Sequence, residues 1–299
     1  MNIDWKACTL CPRECRADRT RALGLCKASD KIMAARAALH MWEEPCISGD
    51  EGSGAVFFSG CSLGCVYCQN SDIAKGNSGK EITTNRLVEI YLELQEKKAN
   101  NINLVTAGHY LPIVIESIEE ARRQGLSIPV VYNTSSYEKK EAIEALKDIV
   151  DVFLPDFKYI SEETALSYSN APDYPRIAKE AISQMVRQTK KTQFNEKGIM
   201  TKGVIVRHLI LPGHIEESKQ AVRYLYETYG DDIYISIMNQ YTPMAGIEKK
   251  YPKLNRTITQ KEYDEVVDYA IDLGVENGFI QEGETAKESF IPQFDNTGI

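Results

Sequence analysis

The stretch Ala55-Val-Phe-Phe-Ser-Gly-Cys61-Ser-Leu-Gly-Cys65-Val-Tyr-Cys68 joins a short apolar run directly to three closely spaced cysteines. The apolar run is typical of a buried strand, and the cysteines fall in the loop that would follow it. Thiolates are the usual ligands of iron–sulfur clusters, and three of them leave one iron of a 4Fe–4S cluster open. A zinc knuckle or a buried set of thiols is the alternative, but this triple lacks a fourth zinc ligand.

The open iron indicates which cofactor would complete the cluster. A small molecule with an amine and a carboxylate could chelate that iron, and S-adenosylmethionine (SAM) is such a molecule. Electron transfer into the SAM sulfonium would give a 5′-deoxyadenosyl radical. The position of the loop supports this interpretation, because active sites of βα folds gather at the carboxyl ends of strands.

All eight cysteines of the 299-residue chain lie between Cys8 and Cys68. Disulfide frameworks belong mainly to small secreted domains, so we favour metal ligation. Cys8, Cys11, Cys15 and Cys26 supply four thiolates for a second metal site. These could hold a structural zinc ion or an auxiliary iron–sulfur cluster, since tetrahedral sulfur ligation does not distinguish the two.

Composition narrows the class of protein. The chain is 43% hydrophobic and 26% charged, as in ordinary globular proteins, and its formal net charge is −8. This acidic balance argues against general nucleic-acid binding. The first residues lack the apolar run of a signal peptide, and no segment approaches the ~18 apolar residues of a membrane span. We therefore expect a cytoplasmic protein that binds neither nucleic acid nor membrane.

The periodicity along the chain predicts an α/β fold. Six apolar runs read as strands, at residues 55–59, 102–106, 128–132, 149–154, 203–211 and 233–238. Helical periodicity follows each of them, in a helix opened by Thr83 or Thr84 and then near residues 112–124, 138–147, 173–191, 212–229 and 260–273. Alternating strands and helices imply a parallel sheet with right-handed crossovers, open or curled into a barrel.

Three parts of the chain are predicted. Residues 1–50 form a cysteine-rich metal-binding segment, residues 51–283 form the α/β barrel, and residues 284–299 form an extended C-terminal arm. The sequence leaves two roles open for Cys46. It is either a buried inert thiol or, together with His40, a residue that borders the reaction space.

A family resemblance is carried by Phe57-Phe-Ser-Gly-Cys-Ser-Leu-Gly-Cys-Val-Tyr-Cys-Gln-Asn70. This stretch resembles the core of radical SAM proteins, especially the branch of pyruvate formate-lyase activating enzyme and the iron–sulfur proteins like it. The resemblance runs from the N-terminal cysteines to the tail Phe290-Ile-Pro-Gln-Phe-Asp295. It implies a partial (βα)₆ barrel with a 4Fe–4S cluster and SAM at its open end. It also implies anaerobic chemistry and a reductant such as flavodoxin or ferredoxin.

The resemblance further implies where SAM is held. Radical SAM proteins usually carry Gly-Gly-Glu after the second strand, and here that position reads Thr106-Ala-Gly-His109, without a carboxylate. We expect Thr106, backbone carbonyls and His109 to contact the SAM amino group instead. The other expected SAM-facing positions are Tyr67, Asn133-Thr-Ser135, Asp156-Phe-Lys158, Arg207-His208 with Pro212-Gly213, and Asn239-Gln-Tyr241.

Simpler roles compete at several of these positions. Asp156 and Lys158 could form a partly exposed ion pair of little energetic consequence. Asn133 could be a turn former, and His208 could be a hydrogen-bonded core histidine. Their shared position at consecutive strand ends favours the functional interpretation of the set.

The function expected from these observations is SAM cleavage followed by hydrogen abstraction from a substrate carbon, as in enzymes that install a glycyl radical. A peptide loop of a partner protein could enter the open side of a partial barrel. Modification of a small molecule or peptide is the alternative, with residues 1–50 as a lid. A non-catalytic electron-transfer protein would need fully ligated clusters, which Cys61, Cys65 and Cys68 do not provide.

Overall fold

The computed structural model describes residues 3–281 and 292–299. Its strands are β1 (Ile32–His40), β2 (Ser53–Phe58), β3 (Lys80–Ile82), β4 (Ile102–Val105), β5 (Val130–Thr134), β6 (Val152–Pro155), β7 (Gln193–Phe194), β8 (Met200–Leu209), β9 (Tyr234–Met238) and β10 (Gly278–Ile280). Its helices are α1 (Pro45–Ser48), α2 (Ser71–Ala74), α3 (Thr84–Glu96), α4 (Leu111–Arg123), α5 (Lys140–Glu144), α6 (Glu162–Ser169), α7 (Tyr174–Thr189), α8 (Ile215–Tyr229) and α9 (Gln260–Leu273). Short 3₁₀ turns cover Trp5–Ala7, Gly108–Tyr110, Gly230–Asp232 and Pro252–Leu254.

The strands form one sheet with a parallel centre. Its order is β10-β9-β8-β6-β5-β4-β2-β1-β3, and β7 pairs with β8 beside this path. Neighbours from β10 to β2 pair in parallel, whereas β1 is antiparallel to both β2 and β3. Because β10 and β3 are free ends of the described sheet, the barrel is partial. The α/β partial barrel predicted from the sequence is confirmed.

The predicted elements are found close to their expected positions. The first long helix is capped by Thr83, whose side chain accepts a hydrogen bond from Arg86 N at 3.1 Å. Six parallel strands are each followed by helix, as predicted, and β10 adds a seventh parallel strand. The short elements β3, β7, β10 and α6 were not predicted, because two to eight residues show too little periodicity.

The strand β1 differs from the expectation of a poorly periodic segment before residue 50. It pairs with β2 from Ala34 opposite Phe58 to His40 opposite Ser53. Its sequence, Ile-Met-Ala-Ala-Arg-Ala-Ala-Leu-His, is rich in alanine and has little intrinsic preference for a strand. Pairing along the sheet, rather than local propensity, therefore makes it one, and it attaches the N-terminal segment to the barrel.

The C-terminal residues 292–299 lie beside β1. Ala37 N donates to Thr297 O at 2.8 Å, and Asn296 N donates to Ala35 O at 3.0 Å. The ring of Phe294 packs on that of Phe57. Part of the predicted arm, residues 284–291, lies outside the described residues, and the division of the chain at residues 50 and 283 stays a prediction. No described helix is both long and apolar enough to cross a membrane.

Candidate active site

A cavity of about 710 Å³ lies inside the curl of the sheet. Most residues predicted to form the site border it: Cys61, Cys65, Tyr67, Cys68, Thr106, Asn133, Ser135, Asp156, Lys158, Arg207 and Gln240. They lie at or just after the carboxyl ends of the parallel strands, where catalytic groups of such folds gather. His40 and the loop residues that precede β2 border the same cavity. The cavity therefore extends from the cysteine loop towards the amino end of β2.

The cysteine loop is fixed by hydrogen bonds to its backbone and sulfur atoms. Cys61 N donates to Cys26 O at 2.9 Å, and Ser169 Oγ donates to Cys65 Sγ at 3.2 Å. Burial raises the pKa of the Cys61 thiol, and it raises that of Cys68 to about 12. These thiols hold their protons unless a cation binds, because a metal ion supplies the charge that stabilises a buried thiolate.

Three cysteine thiols are available in this cavity as ligands for a metal centre. Among residues 3–281 and 292–299, no three His, Cys, Asp or Glu side chains are arranged to hold a metal ion. Zinc needs its ligands around one ion, with Zn–S near about 2.3 Å. A cubane instead takes each thiolate on a different iron. Of the described cysteines, Cys61, Cys65 and Cys68 alone border the cavity, so the donor set fits a cluster with three protein ligands.

Tyr67 holds the loop against the barrel. Its ring makes edge contacts with those of Tyr159, Tyr168 and Tyr241, at centroid distances of 6.1–6.2 Å. Tyr241 in turn donates its hydroxyl hydrogen to Leu254 O at 2.6 Å. This aromatic cluster connects the cysteine loop to the ends of β6 and β9, and its member Tyr67 borders the cavity. Tyr67 is therefore placed to position the loop as well as to face a ligand.

A charged network crosses the cavity beyond the cysteines. Arg207 Nε contacts Asp156 Oδ1 at 2.8 Å, and Lys158 Nζ contacts Asp156 Oδ2 at 2.7 Å. Arg207 Nη2 also donates to Asn133 Oδ1 at 2.7 Å. Burial alone would raise the pKa of Asp156, but Arg207 and Lys158 outweigh it and lower that pKa. This buried network differs from the exposed ion pair considered as an alternative, because all three charged groups are largely buried.

Two carboxyl groups of this site were missed by sequence reasoning. Glu43 Oε2 contacts Arg207 Nη1 at 3.1 Å, and Glu43 Oε1 accepts from Asn103 and Asn133. Glu44 is buried beside it, where burial raises the pKa of its carboxyl group and its Oε2 atom has no hydrogen-bond partner. Both residues follow β1 in the chain, and nothing in the sequence indicates that the residues after β1 enter the barrel.

The backbone has an unusual conformation at Thr106, directly after β4. Thr106 borders the cavity with φ of 59°, in the left-handed region that a β-branched residue rarely adopts. Its N–H donates to Asn133 O at 2.9 Å, which fixes the turn. Strain of this kind concentrates at ligand sites. Both Thr106 and Asn133 are thus brought to the cavity, as predicted.

The structure does not bring His109 or His208 into the cavity. His109 Nε2 donates to Ser59 O at 2.7 Å, and His208 Nδ1 lies 2.7 Å from Phe157 O. Both rings are buried behind the strand ends, so a SAM contact for His109 is not supported by its position. His208 matches the core histidine that was its alternative. Behind the same turn, the buried carboxylate of Glu138 lies against Gly108, outside the cavity lining.

The burial of His109 should make the free energy of unfolding depend on pH. Burial lowers the pKa of this ring from 6.5 to about 4. The unfolded chain therefore binds more protons between these values, and the free energy of unfolding should fall by roughly 3 kcal/mol as the pH drops from 6.5 to 4. Urea unfolding across this range measures it. The His109→Gln variant keeps an N–H donor without titrating, and an unchanged pH dependence in that variant would contradict the assignment.

The N-terminal cysteines lie outside the cavity but next to the cysteine loop. Arg13 attaches this segment to the cysteine loop and to the end of α6. Its guanidinium donates to Ser62 O and Leu63 O at 3.0 Å and to Ser169 O at 2.8 Å. Burial raises the pKa of the Cys11 thiol to about 12 and also raises that of Cys26. Like the loop thiols, these need a cation to become buried thiolates.

The sequence leaves the roles of His40 and Cys46 open, and the structure places these two residues in different surroundings. His40 borders the cavity, whereas Cys46 packs in the barrel core with Ile47, Val131 and Leu154. Cys46 therefore matches the buried thiol that was its simpler alternative.

Known proteins resemble this chain in sequence. A family model described as the Radical SAM superfamily matches residues 55–225. A protein named "Uncharacterized protein MJ0674", from Methanocaldococcus jannaschii, is 28% identical over 272 residues, which cover 89% of this chain and 75% of that protein. A pyruvate formate-lyase-activating enzyme of Clostridium pasteurianum is 27% identical over 114 residues, covering 36% of this chain and 46% of the enzyme.

A solved structure supports the fold. The crystal structure of Streptococcus suis SuiB matches with a TM-score of 0.50 and 14% sequence identity, over 79% of this chain. The match covers 50% of SuiB, so this chain spans about half the length of that protein. At this identity the likeness shows the fold alone.

Proposed function

The chain belongs to the radical SAM superfamily, and we propose that it abstracts hydrogen from a substrate carbon in the cavity bordered by Cys61, Cys65 and Cys68. Membership of the family implies a 4Fe–4S cluster and SAM as cofactors. Bound there, these supply reductive cleavage of the sulfonium to a 5′-deoxyadenosyl radical. The observation that carries the proposal is the convergence of three loop cysteines and four strand-end polar side chains on one cavity.

The charges of the cavity support binding of SAM. Lys158 lies close enough to Cys61 and Cys68 for its positive charge to favour their thiolates. An ammonium in this position can also attract the carboxylate of an amino acid ligand. Asp156 anchors Lys158, and Arg207 anchors Asp156, so the ammonium is held in place before a ligand arrives. We assign Lys158 to the SAM carboxylate and Thr106 with Asn133 to its remaining polar groups.

The size and lining of the cavity support a substrate beside SAM. Its volume of about 710 Å³ lies in the usual range for small-molecule sites. Apolar residues such as Phe57, Leu63 and Met238 border it together with the polar network. Such a lining shields a reactive carbon radical from water and from side reactions.

A glycyl-radical partner is the finer proposal for the substrate. It is supported by the partial match to the pyruvate formate-lyase-activating enzyme and by the open edge between β10 and β3 in the described sheet. Modification of a small molecule or a peptide at the same cavity is the alternative. We further propose that a flavodoxin or ferredoxin supplies the electron, that the reaction is anaerobic and cytoplasmic, and that the N-terminal cysteines bind a second metal.

The test uses the full chain, reconstituted anaerobically with iron and sulfide and reduced with dithionite. We expect 5′-deoxyadenosine to form from SAM, and the EPR spectrum of the reduced cluster to change when SAM is added. An iron-loaded protein that gives neither result would contradict the proposal. A glycyl radical signal on a candidate partner supports the activating role, and 5′-deoxyadenosine without that signal on any candidate would remove it.

A further inference from the structure

The carboxyl group of Glu44 is buried at the cavity, and one of its oxygens lacks a hydrogen-bond partner. The residue is 8% exposed and borders the cavity, and its Oε2 atom accepts no hydrogen bond from the described residues. Glu44 is also the N-cap residue of α1, but its side chain makes no capping hydrogen bond. A buried oxygen of this kind costs free energy until a donor reaches it. A ligand in the cavity can supply the donor that the fold does not.

The charged groups next to Glu44 are balanced without it. Arg207 and Lys158 carry two positive charges, and Asp156 and Glu43 carry two negative charges. Arg207 already contacts two of these carboxylates, at 2.8 and 3.1 Å. In the described part of the chain, no Lys or Arg forms an ion pair with Glu44. An ionised Glu44 therefore adds one negative charge to a buried set that is otherwise neutral.

The cavity lining does not supply a cation for this carboxylate. Among the described lining residues, the remaining basic side chain is that of His40. Burial, with Arg36 and Arg207, lowers the pKa of His40, so its ring is neutral at pH 7 and packs edge-on against Phe57. Burial also raises the pKa of the Glu44 carboxyl group, and the charge of Arg207 opposes this rise. A cation that enters the cavity would stabilise the carboxylate by pairing with it.

The backbone that carries Glu44 is fixed by hydrogen bonds within the loop and to the barrel. Ile47 N and Ser48 N donate to Glu44 O at 2.8 and 3.1 Å. Asn101 Nδ2, directly before β4, donates to Ile47 O at 2.8 Å. A carboxylate on such a fixed backbone loses little conformational entropy when a ligand binds.

Glu44 lies at the end of the charged network that is remote from the cysteine loop. Lys158 lies near that loop and contacts Asp156. Arg207 contacts Asp156 on one side and Glu43, the neighbour of Glu44 in the chain, on the other. Because we assign Lys158 to the SAM carboxylate, this far end of the network is left to a second molecule.

We propose that Glu44 binds a positively charged nitrogen, in an ammonium or guanidinium group, of a small-molecule substrate. The inference rests on the proposed function and names the substrate class for the same cavity. Met41, Trp42 and Phe279 border the cavity together with Glu44, and such side chains suit the carbon chain of an amine. Of the substrates considered above, the inference selects the small molecule, because the cavity has the size of a small-molecule site.

The test measures the binding of simple amines to full-length protein, reconstituted anaerobically, with the cluster oxidised and SAM at saturation. Calorimetry compares n-butylammonium and n-butylguanidinium with neutral n-butanol, at about 0.15 M salt to screen exposed charges. We expect at least one cation to bind about tenfold more tightly than butanol. Glu44→Gln keeps the size of the side chain and should abolish this preference. Cations that bind wild type no more tightly than butanol would overturn the proposal.

The matched control is Asp50→Asn, because Asp50 is an exposed carboxylate that borders the same cavity. This variant should keep the preference for cations. An equal loss in Asp50→Asn and Glu44→Gln would indicate a general effect of negative charge and would refute a specific role of Glu44. A loss of SAM affinity in Glu44→Gln, with the preference for amines retained, would assign the carboxylate to SAM and also refute it.

Thermal unfolding without ligands separates binding from a structural role. The Tm of Glu44→Gln should equal or exceed that of wild type, because the carboxylate has no ion-pair partner in the described fold. A clearly lower Tm would assign Glu44 to stability and overturn the proposal. Formation of 5′-deoxyadenosine in the same preparation tests the proposed reaction separately, because amine binding is measured without turnover.

Discussion

Replacement of Cys61, Cys65 and Cys68 by alanine should abolish formation of 5′-deoxyadenosine from SAM. The thiolates are the protein's share of the cluster ligands, and no other described cysteine borders the cavity to replace them. We expect at least a 10³-fold loss, of the order seen when a group essential to an enzyme's chemistry is removed. Single variants should lose nearly as much, because ligands of one cluster act as a unit. The measurement is product formation in reconstituted protein, followed by chromatography.

The matched control is Cys46→Ala, which removes a thiol that lies outside the cavity lining. It leaves a small space in the barrel core among Ile47, Val131 and Leu154, so some stability should be lost. SAM cleavage and iron content should stay close to wild type. Equal losses of activity in Cys46→Ala and in the loop variants would show that unfolding, rather than lost ligation, causes the effect.

Replacement of Arg207 by methionine should be the most destabilising single change in the charged network. Arg207 contacts Asp156 and Glu43, whose carboxylates would be left buried with fewer partners. Breaking a buried ion pair in this way typically costs about 3–5 kcal/mol of unfolding free energy. Urea unfolding at pH 7 measures this cost, and SAM binding should weaken in parallel because Asp156, the partner of Lys158, loses its own anchor.

The pH dependence of that variant separates charge from packing. In the wild type Asp156 has a lowered pKa, so its contribution to stability is present at neutral pH and is lost as the pH falls through the folded-state pKa. Without Arg207 this pKa rises, and the deficit of the variant should shrink towards low pH. A deficit that is constant with pH would point to packing instead. Arg21→Met, at an exposed arginine, should have little effect.

The cysteine motif could be predicted because its information is local. Three thiols within eight residues of one loop can reach one cluster whatever surrounds them, and the apolar run before them is buried by its own composition. The strand-end positions of Asn133, Asp156, Lys158 and Arg207 followed from a second general property. Parallel strands bring their carboxyl ends to one edge of the sheet, so residues at those ends meet.

Other features depended on contacts that no local pattern encodes. The strand β1 has an alanine-rich sequence and exists because β2 offers it a partner, so the position of Glu43 could not be predicted. His109 occupies the position expected to contact SAM, but the 3₁₀ turn after Thr106 points its ring to Ser59 O. A motif position fixes where the backbone lies, and packing fixes where the side chain points.

The family, the alternating α/β order and the three loop cysteines could be predicted without coordinates, because each depends on residues that are close together in the chain. Which charges meet depends instead on how the chain packs. Packing brought Glu43 to Arg207 across more than 160 residues, and it buried Arg19 beside the sulfur of Cys8. The physical reason is that burial and charge pairing depend on distances in space, which long-range packing sets and sequence spacing does not.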